Sequence, residues 1–324
     1  MRGLLAFLAL ILLWSLLAEA LLRSPLGDFL PPSVGADNFQ FDLKTHYLEQ
    51  FIRRYGRLDC LIVGSSMANS GLDPLLIDQV YTQETGQTLH CFNFGLSALT
   101  MASGGDIARA LIRRYQPHLL IIVLSARDFS IEYGDLTAPL LQTAWVRQNL
   151  GQASLEGWLV NYAGGYRYRL ALQYWLRPEN RAPFLQEYHA LTRQGFSPLQ
   201  EFRDPPVNFP AFVDFSPAQS AWQGFESIQN QPETVVIFVE APIQPAYRQI
   251  YLETPQRYEQ RFIQPVQTDL AARNIPFLRT VNLSNSLPAD FWYDSLHVNS
   301  RGAPVFSRWL GGQLSRLSPQ GLSH

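Results

Sequence analysis

The sequence predicts an α/β protein of three layers: a five-stranded parallel sheet between helices, with an aromatic-rich helical insertion and an N-terminal membrane helix. Three observations predict it. From residue 58 onward, short apolar runs alternate with stretches of helical spacing; the alternation breaks over residues 130–230 and then resumes; and a charge-poor stretch opens the chain. Parallel strands need long crossovers, usually helical and right-handed, so such alternation implies a sheet covered on both faces. With 324 residues, 47% hydrophobic and only 16% charged, the chain buries enough apolar surface to offset its conformational entropy. A formal net charge of −2 lacks the basic bias of a nucleic-acid binder, so no nucleic-acid partner is expected. Lys44 is the only lysine.

The elements follow in order. Leu4–Leu22 is a nineteen-residue apolar stretch whose only charge is Glu19. As a helix it rises about 28 Å at roughly 1.5 Å per residue, close to a hydrocarbon core of about 30 Å. Arg2 on the short leading side keeps the N-terminus cytoplasmic and places the body outside. Ala18-Glu19-Ala20 has the small-x-small form of a signal-peptide cleavage site. The apolar run continues through Leu21 and Leu22 past that point, which favours an uncleaved anchor over residues 1–22. Residues 23–57 read as a stalk and lead-in, punctuated by Pro25, Pro31 and Pro32 before an amphipathic stretch near Tyr47–Tyr55.

The domain proper is expected over residues 58–324. Leu58–Val63, ending at Gly64, reads as a buried parallel strand. Asp73-Pro74 supplies a helix N-cap with proline at the first helical position, starting a helix toward Tyr81. Thr88–Phe92 is the second strand, and Ser103–Tyr115 a helix with Ile107, Ala110, Leu111 and Arg114 at helical spacing. His118–Leu124 is the strongest strand. After the insertion, which carries Trp145, Trp158, Tyr162, Tyr166, Tyr168, Tyr174 and Trp175, come a strand at Thr234–Val239, a helix at Thr254–Ala272, a strand at Ile275–Leu278 and a closing helix at Arg301–Leu317. Aromatics at this density are expected to pack as a helical cap; stacking on sugars or meeting a membrane partner is the competing reading. Cys60 and Cys91 fall in the first two strands and are expected to be buried free thiols; an oxidising compartment permits a bridge if their geometry allows. His46, His90, His118 and His189 are scattered without zinc spacing, so neither metal nor cofactor is expected.

Ligands of such sheets bind outside the carboxyl ends of the strands. Gly64-Ser65-Ser66 follows strand one, Asn93-Phe94-Gly95 strand two, Ser125-Ala126-Arg127-Asp128 strand three, and Asp294-Ser295-Leu296-His297-Val298-Asn299 the last strand. Acyl transfer needs a serine whose proton passes to a base, and histidine suits that task near neutral pH. The base needs a carboxylate that fixes its tautomer, which Asp294 supplies to His297 from three residues away. The developing oxyanion needs pre-aimed N–H donors, for which the backbones of Ser66 and Gly95 are the candidates.

These residues resemble the SGNH (GDSL-like) hydrolase superfamily, whose four sequence blocks lie in this order on a flavodoxin-like sheet. The resemblance covers roughly residues 58–128 and 234–317. It implies that Ser66 is the nucleophile, with Gly64 supporting it, that Gly95 donates an N–H, and that Asp294, His297, Asn299 and Gly302 form the last block. The third block departs from the family's Gly-x-Asn-Asp, so Arg127 stands where an Asn donor is usual; in that place it pairs with a carboxylate, donates to the oxyanion, or grips an anionic substrate. With an outward-facing single span, the resemblance is to proteins that acylate envelope polymers, such as those of teichoic-acid D-alanylation and alginate O-acetylation. It implies an acylated glycan or small ester as substrate and a multi-pass membrane acyltransferase as partner. The competing readings are a catalytically degenerate scaffold or glycan binder of the same fold, a nucleotide binder using the serine-rich loop, and an α/β-hydrolase. The last needs several strands before its nucleophile, and only the anchor and stalk precede Ser66.

Overall fold

A computed structural model describes residues 2–24, 33–130, 134–200 and 216–317. Five parallel strands form one sheet: β1 (Cys60–Gly64), β2 (Cys91–Asn93), β3 (Leu119–Leu124), β4 (Val235–Glu240) and β5 (Phe277–Leu278), in the order β2-β1-β3-β4-β5. That is the flavodoxin-like order. β3 is central and buried along its whole length, pairing Leu119–Val123 with Cys60–Gly64 on one side and Leu119–Leu124 with Val235–Glu240 on the other. All five strands stand where the apolar runs place them, trimmed at their ends.

The helices before the insertion are α1 (Arg2–Arg23), α2 (Phe39–Tyr55), α3 (Ser66–Gly71), α4 (Pro74–Thr85) and α5 (Met101–Tyr115). Asp73 caps α4 as its sequence implies, its side chain accepting the Leu75 N–H at 3.0 Å. The insertion folds into α6 (Ala144–Asn149), α7 (Leu155–Tyr162), α8 (Gly164–Leu176), α9 (Pro178–Ala190) and α10 (Gln219–Ser227). The remaining helices are α11 (Pro245–Arg248), α12 (Pro255–Tyr258), α13 (Gln264–Ala272), α14 (Val281–Ser286) and α15 (Gly302–Leu317). The single helix expected over Thr254–Ala272 carries a π-helical turn at Glu259–Ile263 between α12 and α13. Pro265 lies just beyond it and has no N–H to give an ordinary α-helical bond.

Right-handed crossovers put α4 on one face, where it packs against α15, and α5 on the other, where it packs against α10. The α5–α10 crossing is close because both helices present glycine. A Cβ on Gly105 would collide with the Gly224 backbone, and one on Gly224 with the Met101 backbone.

Three expectations change. Residues 39–55 are not part of a stalk: α2 buries Phe41, Leu43, Tyr47, Leu48 and Phe51 in the main core. Cys60 and Cys91 are not free thiols; they face each other in parallel register and form a disulfide. Closing a 31-residue separation, it restricts the unfolded chain by an entropy worth about 3.5 kcal/mol. The aromatic insertion divides: Trp145 is fully buried, whereas Trp158 and Tyr162 are exposed. The side chains of Tyr174 and Trp175 lie outside the described residues. α1 is long and apolar enough to cross a membrane and is exposed along most of its length.

Candidate active site

The strand order reverses between β1 and β3, which opens a crevice at their carboxyl ends. Gly64 ends β1 with no room for a side chain: a Cβ there would lie 2.6 Å from the Val123 carbonyl oxygen and 2.9 Å from the Ala68 Cβ. The chain then turns directly into α3, with Ser65 as N-cap and Ser66 as its first residue. Ser66 is therefore held at a helix start, partly exposed, with its backbone N–H in the first turn.

A buried polar network fixes α3 from below. Asn93, fully buried at the end of β2, donates from Nδ2 to the carbonyls of Ala68 (2.8 Å) and Leu72 (2.7 Å). Lys44 Nζ reaches up from α2 to donate to Asn69 Oδ1 (2.7 Å) and the Asn93 carbonyl (3.0 Å). Burial pushes the Lys44 ammonium well below its ordinary pKa, opposed by the charge of Glu187. The only lysine of the chain thus sits inside the protein, under the helix that Ser66 starts.

The last block lies across the same edge. Asp294 Oδ1 accepts the N–H groups of Leu296 and His297, both at 2.8 Å, which folds the segment into a tight turn. The turn brings His297 Nδ1 to 2.9 Å from both carboxylate oxygens. His297 Nε2 lies 2.8 Å from Ser66 Oγ. Asn299, also fully buried, ties the segment to α15: its Oδ1 accepts from the Arg301 and Gly302 N–H groups, and its Nδ2 donates to the Asp290 and Trp292 carbonyls. Residues separated by about 230 positions thus form one chain of hydrogen bonds, Ser66–His297–Asp294. The sheet order and this serine–histidine–aspartate contact are those that the sequence resemblance implies. Solved structures similar to it include a lipase/acylhydrolase from Enterococcus faecalis (16% identity, 81% of this chain and 95% of that one, TM-score 0.38). Others are a carbohydrate acetylesterase family member from Sinorhizobium meliloti (12%, 80% and 98%, TM-score 0.38) and TesA (14%, 80% and 98%, TM-score 0.40). No family model and no curated protein matches the sequence.

The expected oxyanion donors fare differently. Gly95 spends its N–H on Asn93 Oδ1 at 2.8 Å, and a Cβ there would collide with the Asn69 backbone. Gly95 is therefore a packing residue here, and that expectation is corrected. Three residues on, Ala98 takes φ +60°, a left-handed conformation that a residue with a Cβ adopts at a cost. Ala98 lines a small cavity with Ser65, Thr100, Arg127 and Asp128. Sequence reasoning passes over it because alanine carries no signal for positive φ. Arg127 is half-buried, its backbone N–H donating to Tyr251 Oη at 3.0 Å.

Asp128 is buried beside these residues, its Oδ2 accepting the Ser125 N–H (2.8 Å) and hydroxyl (3.1 Å). Burial pushes its pKa up to about 6, against those hydrogen bonds and the Arg127 charge. The folded state therefore binds this proton more tightly than the unfolded chain, whose aspartates titrate near 3.9. The resulting stabilisation is fully present below about pH 4 and is lost as pH rises through about 6. In unfolding of the detergent-solubilised chain, stability relative to Asp128→Asn is expected to fall by about 2 kcal/mol between pH 4.5 and 7.5. A wild-type-minus-variant difference that stays flat over that interval contradicts the assignment.

Proposed function

We propose that the protein is a membrane-anchored, extracytoplasmic serine esterase or O-acyltransferase acting on acylated cell-envelope glycans through an acyl-enzyme. The observation that carries the reading is the 2.8 Å approach of Ser66 Oγ to His297 Nε2, with Nδ1 held by Asp294. With Nδ1–H donated to the carboxylate, Nε2 is left as the acceptor that takes the serine proton. Ser66 Oγ attacks the ester carbonyl, and the oxyanion forms over the first turn of α3. There the Ser66 N–H is one donor, and the turn at Ala98 is the candidate second. His297 returns its proton to the leaving alcohol. Water or a sugar hydroxyl then gives its proton to His297 and attacks the acyl carbonyl; the Ser66 Oγ–acyl bond breaks and His297 returns the proton to Ser66 Oγ, so hydrolysis and transfer share every residue of the site.

The finer parts of the reading have their own supports. The apolar helix α1 supports anchoring, and the Cys60–Cys91 disulfide supports an oxidising compartment. In the transfer case the acyl-enzyme needs a supply of acyl groups from the membrane, which a multi-pass acyltransferase partner would provide. Arg127 at the strand ends is suited to an anionic group of the acceptor. A fluorophosphonate probe tests the reading on the full chain: labelling is expected at Ser66 and is expected to vanish in His297→Ala. Well-folded protein that takes no label is instead a scaffold or glycan binder of this fold.

A further inference from the structure

We propose that the cavity between the membrane helix and the body binds the phosphate of an anionic lipid. The proposal rests on reading α1 as an uncleaved membrane span. The cavity measures about 490 Å³ and lies where α1 ends against α2, α5, α7 and α8. None of Ser66, Asp294 and His297 lines it.

Its lining is built for an anion. Arg167 is only 7% exposed; its Nη1 donates to Glu49 Oε2 at 2.6 Å, while Nε and Nη2 have no partner among the described residues. Arg114 also has a buried Nε without a partner, and its guanidinium stacks near the rings of Tyr115 and Tyr162. Arg53 completes the cationic lining. The two carboxylates that line the same cavity are already engaged. Glu49 is held by Arg167 and by the Tyr115 hydroxyl, and Glu19 accepts the N–H groups of Gly164 and Gly165 at 2.8 and 3.0 Å. Buried guanidinium N–H groups without acceptors are costly, and a phosphate offers the oxygen pairs that such forks bind.

The position of the cavity selects a lipid phosphate. Glu19 and Leu22, from the last turn of the apolar helix, form part of its wall, which sets it at headgroup depth. α8 packs on α1, and the neighbouring surface of α7 and α8 exposes Leu155, Trp158, Tyr162, Leu172 and Leu176. Exposed tryptophan and tyrosine among leucines suit the membrane interface.

Native mass spectrometry of the full chain, released from detergent micelles with phosphatidylglycerol or phosphatidylcholine, tests the proposal. Phosphatidylglycerol is expected to be retained at least about tenfold better, since the choline cation opposes the arginines. Arg114→Gln is expected to cost about tenfold in that retention while the protein still unfolds cooperatively in lipid-free detergent, with only a small shift from the lost Asn161 and tyrosine contacts. Arg167→Gln is the stronger variant, but it also strips Glu49 of its partner, so the comparison is decided on Arg114→Gln. Equal retention of the two lipids overturns the proposal, as does full retention in Arg114→Gln or displacement by an equal concentration of glycerol 3-phosphate. Alkaline carbonate extraction separates the two readings. Wild-type protein released by carbonate overturns the anchor and the lipid site together, whereas carbonate-resistant protein that fails the lipid comparison overturns the lipid site alone.

Discussion

Ser66→Ala is expected to lower the turnover of a short-chain ester by roughly 10⁴- to 10⁶-fold while the protein stays folded. The size of the loss follows from where the hydroxyl sits. Ser66 Oγ is the only atom removed, and its partner in the structure is His297 Nε2. Ser66 is partly exposed, so water replaces the lost atom and stability shifts by about 1 kcal/mol or less. The elements that hold the position do not depend on the hydroxyl: Gly64 against β3, Asn93 on the carbonyls of α3, and Lys44 on Asn69 all remain. Steady-state hydrolysis and a thermal unfolding curve on the same preparation check both halves. A variant with unchanged melting and a wild-type rate would place the nucleophile elsewhere. A loss of rate accompanied by a large drop in melting temperature would reflect unfolding and leave the chemical role of the hydroxyl unsupported.

Much of this site is legible because the chemistry is local in sequence. Asp294 and His297 are three residues apart, and the turn that joins them is made by the carboxylate itself, so their spacing together with the order of the strand-end segments points to the pair. Asn299 and Gly302 are legible for the same reason, being the start of α15. The strands are legible because β1, β3 and β4 are buried on both faces and read as unbroken apolar runs. What stays hidden depends on contacts across the fold. The burial of Lys44 contradicts its residue type and is made tolerable by Asn69 and the Asn93 carbonyl, which lie 25 and 49 positions away. Gly95 looks like an oxyanion donor because a glycine after a strand invites that reading. Its N–H is taken by Asn93, a partner two residues back that spacing does not reveal. The disulfide needs the register of β1 against β2, which no run of residues encodes.

The role of Asp294 separates a working triad from a merely similar arrangement, and Asp294→Asn isolates it. The asparagine oxygen can still accept the Leu296 and His297 N–H groups, so the turn and the place of the imidazole survive. The amide nitrogen then faces His297 Nδ1 as a donor, where the carboxylate had accepted. The retained oxygen also lies 2.9 Å from Nδ1, but a donor in place of the second oxygen favours the tautomer in which Nδ1 accepts and the ring proton sits on Nε2. That nitrogen faces Ser66 Oγ at 2.8 Å and, once protonated, cannot take the serine proton. A loss of about 10⁴-fold in kcat is expected from the tautomer alone, with the fold intact. Fluorophosphonate labelling is expected to slow in the same proportion, because the probe needs the same proton transfer. Retention of more than about a tenth of the wild-type rate would mean that His297 works without its orienting carboxylate. The hydrogen bonds around Asp294 would then be structural, and the proton would need another acceptor within reach of Ser66.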